Sequence, residues 1–110
     1  MKVDQKGHTV TIKDTQGDFN SFLEKVTQQF KTFEKHNVII DLSSDADLSE
    51  NDLKLFLPLA KSQKKIKKSF VIVASDLDFN AISDKLLVVP SLLEAHDIIE
   101  MEEIERDLGF

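Results

Sequence analysis

The sequence predicts an α/β fold: one domain over residues 1–110, with a mixed sheet of about five strands, a parallel centre and about four helices, in the order β-β-α-β-α-β-α-β-α. Three observations carry this. Two short apolar runs, Val38 to Ile40 and Phe70 to Ala74, have the unbroken character of central strands buried on both faces. The stretches between and after them repeat their apolar residues at helical spacing. An alternating run, His8 to Lys13, follows a glycine near the start, which is the pattern of a hairpin.

Bulk properties fit that reading. A chain of 110 residues is long enough for one core and too short for two domains. With 41% hydrophobic and 31% charged residues, only 3 Gly and 2 Pro, no linker is drawn and no disordered tail of any length is expected. The net charge of −6 and the pI near 5.0 oppose binding to a polyanion, so neither nucleic acid nor an anionic membrane is expected as a partner. The absence of cysteine removes disulfides, thiol catalysis and cysteine zinc sites. The segment MKVDQKGHTV lacks a signal-peptide apolar core, and no run of about 18 apolar residues follows, so a cytoplasmic location is expected.

Lys2 to Asp4 and His8 to Lys13 read as the hairpin strands, turning at Gly7. Asp18 is placed to cap a helix whose apolar residues are Phe19, Phe22, Leu23, Val26, Phe30 and Phe33. Four of the eight phenylalanines lie in that stripe; they repeat at core spacing, with Glu24, Lys25, Gln28, Gln29 and Lys31 on the opposite face, so they read as packing rather than as a base-stacking surface. After the Val38 to Ile40 strand, Ser49 and Asp52 form a capping-box variant, and Leu53, Phe56, Leu57 and Ala60 continue as a second helix. Pro58 inside it predicts a kink or break.

That helix ends in Lys61, Lys64, Lys65, Lys67 and Lys68. The run reads as complementing the negative helix terminus and solvating its face, rather than as a phosphate site. Phe70 to Ala74 is the next strand. Asp78 then caps a short helix through Phe79, Ile82 and Leu86, and Leu87 to Val89 forms a short strand ended by Pro90. Ser91 with Glu94 opens the last helix, Leu92 to about Leu108, with Gly109 as its stop.

The last helix begins on a face of Leu92, Ala95, Ile98 and Ile99, which Met101, Ile104 and Leu108 are expected to continue. At about 25 Å it outreaches a five-residue strand of about 17 Å, so two outcomes are open. An oblique crossing buries the later residues. An overhang instead leaves Met101, Ile104, Leu108 and Phe110 as an apolar patch rimmed by carboxylates, a partner or dimer surface.

The stretch NVIIDLSSDADLSENDLKLFLPLA, Asn37 to Ala60, runs from strand through acidic turn to capped helix, where sites in open α/β sheets lie. Its acids Asp41, Asp45, Asp47, Glu50 and Asp52 invite a metal reading. An EF-hand loop starting at Asp45 needs Gly and Glu where Glu50 and Phe56 stand. A phospho-accepting receiver site needs further acids after an early strand, and Asp14 reads as an isolated acid. His8, His36 and His96 have no ligand spacing, and Gly7, Gly17 and Gly109 form no phosphate loop. No catalytic residue, metal or cofactor is expected.

The element order, with VIIDLS entering the second helix, resembles the STAS domain, the fold of bacterial anti-sigma factor antagonists. Those proteins end the same turn in Asp-Ser-Ser-Gly, where a serine is phosphorylated by a regulatory kinase. Matching the helix starts puts Glu50 and Asn51 at the serine pair and Asp52 at the glycine. The resemblance therefore implies an interaction module without the regulated serine; Ser49 is the hydroxyl left at the turn. The segment VPSLLEAHDIIEMEEIERDLGF is also similar to short flavobacterial proteins associated with the name ribonuclease Z. The His-x-His-x-Asp-His motif of that enzyme is missing here, so this likeness implies at most a nuclease partner.

The expected function is thus non-catalytic binding of another protein, a kinase-like regulator or a nuclease, by a monomer or weak homodimer. The expected contact residues are Ser44, Asp45, Asp47, Ser49, Glu50 and Asn51 at the turn, with Met101, Ile104, Leu108 and Phe110 on the last helix. The alternatives are an accessory protein to a ribonuclease Z-type enzyme, a structural homodimer, and a small metal-dependent enzyme using the acidic turn.

Overall fold

The computed structural model describes residues 1–45, 47–75, 77, 82 and 84–109. Five strands form one sheet in sequence order: β1 (Lys2–Lys6), β2 (Thr9–Lys13), β3 (Asn37–Asp41), β4 (Phe70–Val73) and β5 (Leu87–Val89). β1 pairs antiparallel with β2, Lys2 opposite Lys13, and every other pairing is parallel. Gly7 turns the hairpin at φ +59°, a left-handed conformation that costs glycine nothing. All five residues of β1 are exposed, and its charged Lys2, Asp4 and Lys6 guard an open sheet edge.

The two apolar runs behave as central strands. Val38 and Ile40 of β3 and Phe70 and Ile72 of β4 point to one face, while Ile39, Val71 and Val73 point to the other. The first face is covered by α1 (Phe19–Phe33), capped by Asp18, whose carboxylate accepts from Ser21 N–H at 3.2 Å. Phe22, Val26, Phe30 and Phe33 are buried in that layer. Phe19 meets Phe56 edge to face at 5.8 Å, and Phe70 lies 6.3 Å from Phe30 and 6.2 Å from Phe56. The stripe is core, as its spacing requires.

The expected second helix is divided into α2 (Glu50–Leu53), a 3₁₀ turn (Lys54–Phe56) and α3 (Leu57–Lys65). Pro58 falls in the first turn of α3, where its missing N–H leaves no bond unmade. The break thus precedes the proline and removes its clash with the preceding turn. Successive crossovers of one hand along a sheet place their helices on one face, so α2 and α3 share the α1 side. The short helix expected from an Asp78 cap through Phe79, Ile82 and Leu86 lies in part outside the described residues; Asp84 and Lys85 form a turn, and Ile82 and Leu86 pack in the α1-side core.

α4 (Leu92–Asp107) covers the other face, capped by Ser91, whose hydroxyl accepts from Glu94 N–H at 3.2 Å. Ala95, Ile98 and Ile99 pack there on Ile39, Val71, Val73 and Val89. The expected continuation of this face by Met101, Ile104 and Leu108 is incorrect. One turn on, the inward positions belong to Glu102 and Arg106. The Ser69 hydroxyl donates to the Glu102 carboxylate, and Arg106 donates to Ser69 Oγ at 3.2 Å and to the Oδ1 of fully buried Asn37 at 3.3 Å. Asn37 Oδ1 also accepts from Ser69 N–H at 2.9 Å. A polar end to the β3 and β4 strands is satisfied by a polar end to α4, and the apolar side chains turn outward.

Candidate interaction sites

Parallel strands align their carboxyl ends, and here that edge gathers acids. Asp14 follows β2 and Asp41 ends β3; Asp14 N–H donates to the Asp41 carbonyl at 3.2 Å, and both residues are 2% exposed. Each carboxylate turns its own loop: Asp14 Oδ1 accepts from Gln16 N–H at 3.0 Å, and Asp41 Oδ1 from Ser43 N–H at 2.9 Å. Asp45, whose N–H donates to the Leu42 carbonyl at 3.0 Å, brings a third carboxyl group over them.

Asp14 Oδ2 and both oxygens of Asp45 are buried without a hydrogen-bond partner. Burial, the close approach of the Asp14 carboxylate and the negative charges of Asp41 and Asp18 push the Asp45 carboxyl up to about 7. At neutral pH the Asp45 carboxyl is therefore about half protonated. Asp14 is not the isolated acid its sequence position suggested. The available signal was the register: a residue just after an apolar strand lies beside its counterpart on the next parallel strand.

The other acids of this stretch go elsewhere. Asp47 is exposed at φ +59°, a left-handed conformation uncommon for a residue with a side chain. Asp52 belongs to the helix start: Ser49 Oγ accepts from Asp52 N–H at 3.2 Å, and the Asp52 carboxylate accepts from Ser49 N–H at 3.0 Å. The predicted box is formed in both directions, and the Ser49 hydroxyl is used in it. Ser44, Ser49 and Asn51 are exposed and Glu50 is half-buried, so the turn presents a polar surface beside the buried acids. Among the described residues, no group of three or more His, Asp or Glu side chains is arranged to hold a metal ion.

The second candidate surface is the outer side of α4. Met101 is 61%, Ile104 55% and Leu108 66% exposed. They are exposed because they face away from the sheet, so the geometry is neither the oblique burial nor the overhang that the helix length left open. Leu93, 73% exposed, lies on the same side at helical spacing and was missed because the early part of the helix was read as core. Phe110 lies outside the described residues.

The two surfaces meet only in part. α4 starts beyond β5 at the acidic edge, with Leu93 near it, and runs back to the β3 and β4 starts, where Arg106 is anchored. No described helix is long and apolar enough to cross a membrane. No protein-family profile matches this chain, and a search of curated proteins returns no match.

Proposed function

We propose that this chain is a non-catalytic, STAS-type protein interaction module that docks a partner on the outer face of α4. The observation that carries the reading is the exposure of Leu93, Met101, Ile104 and Leu108 on one side of one helix. Asp97 stands in the stripe between Leu93 and Met101, and exposed Glu94, Glu100, Glu105 and Asp107 flank it. An apolar stripe with an acidic rim fits a partner protein bearing an apolar groove edged by Lys and Arg. A second copy of this chain would set carboxylate against carboxylate, which disfavours a homodimer through this face.

The order of elements and the turn after β3 support the STAS likeness, with the Ser49 hydroxyl serving as a helix cap and Glu50 and Asn51 at the position of the regulated serines. Regulation at this turn by a kinase is therefore not part of the proposal. The test compares the protein with an Ile104→Lys/Leu108→Lys variant in quantitative capture from the native cell, with light scattering on the purified proteins. The expected result is a monomer that retains a specific partner, released as salt rises, and a folded variant that loses it. Equal capture by both proteins, or dimerisation abolished by the variant, would overturn the proposal.

A further inference from the structure

At the edge of the sheet opposite the acidic turn, a cavity of about 530 Å³ opens between the starts of β4 and β5, the end of α3 and the last turns of α4. Its size falls within the roughly 300–1,000 Å³ of small-molecule sites. Five of the chain's fourteen Lys and Arg residues line it, namely Lys64, Lys67, Lys68, Lys85 and Arg106. Of the twenty carboxylate residues, only Asp84 and Glu102 are among the described residues of its wall. In a chain of net charge −6, cationic side chains are therefore concentrated around one concavity.

We infer that this cavity binds a small phosphorylated molecule. Complementing the α3 terminus accounts for one or two lysines, but not for an arginine drawn from another helix and fixed in the same wall. Arg106 is fixed: Ser69 Oγ and the buried Asn37 Oδ1 accept from different terminal nitrogens of its guanidinium. Those two bonds use two of its five donors, and the rest suit phosphoryl oxygens.

Lys67 carries the second observation. It stands at φ +61° after α3, with its N–H on the Lys64 carbonyl at 3.1 Å and the Lys68 N–H on the Gln63 carbonyl at 2.9 Å. This is a helix stop at which glycine is favoured, and a side chain there costs about 1 kcal/mol. Lysine at that position places a charge on the cavity wall where glycine would place none. Ala60, Phe70 and Leu87 supply apolar wall for the carbon body of the ligand.

The test is ¹H–¹⁵N NMR titration of the whole chain with inorganic pyrophosphate, repeated with sulfate at equal ionic strength. Saturable shifts are expected at Lys64 to Phe70, at Leu87 and at Glu102 to Gly109, stronger for pyrophosphate than for sulfate. Lys67→Gly is expected to keep or raise the melting temperature while weakening binding several-fold, which loss of fold cannot do. Lys64→Gln/Lys68→Gln is expected to weaken it about tenfold or more, whereas Asp45→Asn at the opposite edge leaves it unchanged. Non-saturating shifts spread over Lys2, Lys6 and Lys61 as well, or equal affinity in Lys67→Gly and the double variant, would overturn the inference.

Discussion

At the scale of single residues, the carboxyl ends of β2 and β3 store an electrostatic conflict that Asp45 relieves by holding a proton. Its carboxyl is raised from 3.8 to about 7, so between about pH 4 and 7 the folded chain binds a proton that the unfolded chain has released. Stability from this group is therefore greatest at low pH and falls as pH rises through that window. Asp45→Asn keeps the shape and removes the conflict. Urea unfolding at pH 4.5 and 8 is expected to show the variant more stable at pH 8, by about 1 kcal/mol after allowance for solvent screening, with the advantage shrinking at pH 4.5.

Ser49 makes a second residue-scale statement. Its hydroxyl and the Asp52 carboxylate satisfy two backbone donors at the start of α2, a segment of four residues with little helical cooperativity of its own. Ser49→Ala is expected to lower stability by about 1 kcal/mol, read as a melting temperature reduced by roughly 4–8 °C in thermal unfolding. Phosphorylation of this hydroxyl would set a phosphate against the Asp52 carboxylate that completes the box.

At the scale of elements, α4 holds itself to the sheet with a short apolar patch and a polar clasp. Ile99→Ala, in the patch, removes buried methyl groups against Ile39 and Val71 and is expected to cost about 2–4 kcal/mol in urea unfolding. Met101→Ser/Ile104→Ser, on the outer face, is expected to stay within about 0.5 kcal/mol of the parent. The contrast separates structure from surface along one helix. The sequence could not separate them, because α4 has apolar residues on both sides: the spacing that joins Ile98 to Met101 and Ile104 is permitted by a helix, but only packing decides which side meets the sheet.

The helix around Pro58 was more legible. A proline inside an apolar-periodic segment requires a break or kink, and the 3₁₀ turn before it meets that requirement locally. The hairpin at Gly7, the Asp18 and Ser91 caps and the phenylalanine stripe were readable for the same reason, since each depends on residues within a few positions of one another. Of the expected helix at Asp78 to Leu86, Ile82 and Asp84 to Leu86 are among the described residues, and Asp84 and Lys85 form a turn.

At the scale of the whole molecule, folding gathers like charges that the sequence scatters. Asp14, Asp41 and Asp45 meet where β2 and β3 end, and Lys64, Lys67, Lys68, Lys85 and Arg106 line the cavity where β4 and β5 begin. Net charge alone argued against polyanion binding and said nothing of a local cationic concavity, because lysines from α3, a turn before β4 and the β5 approach meet an arginine only after folding. Phe56 anchors the layer between these groups, fully buried against Phe19 and Phe70. Phe56→Ala is expected to cost about 3–5 kcal/mol, and calorimetry is expected to show one cooperative transition moved to lower temperature.

By itself the sequence determined the class of the fold, the central strands, the covering helix α1, the caps and the site of the helix break. These are written in patterns of period 2 and 3.6 and in neighbouring residues, where propensity and hydrogen bonding act over a few positions. Tertiary structure alone decided that Asp45 comes to lie over Asp14 and Asp41, that Met101, Ile104 and Leu108 face outward, and that Lys64, Lys67 and Arg106 line one cavity. Each of these depends on register and on which face a helix buries, quantities set by the packing of elements far apart in the chain.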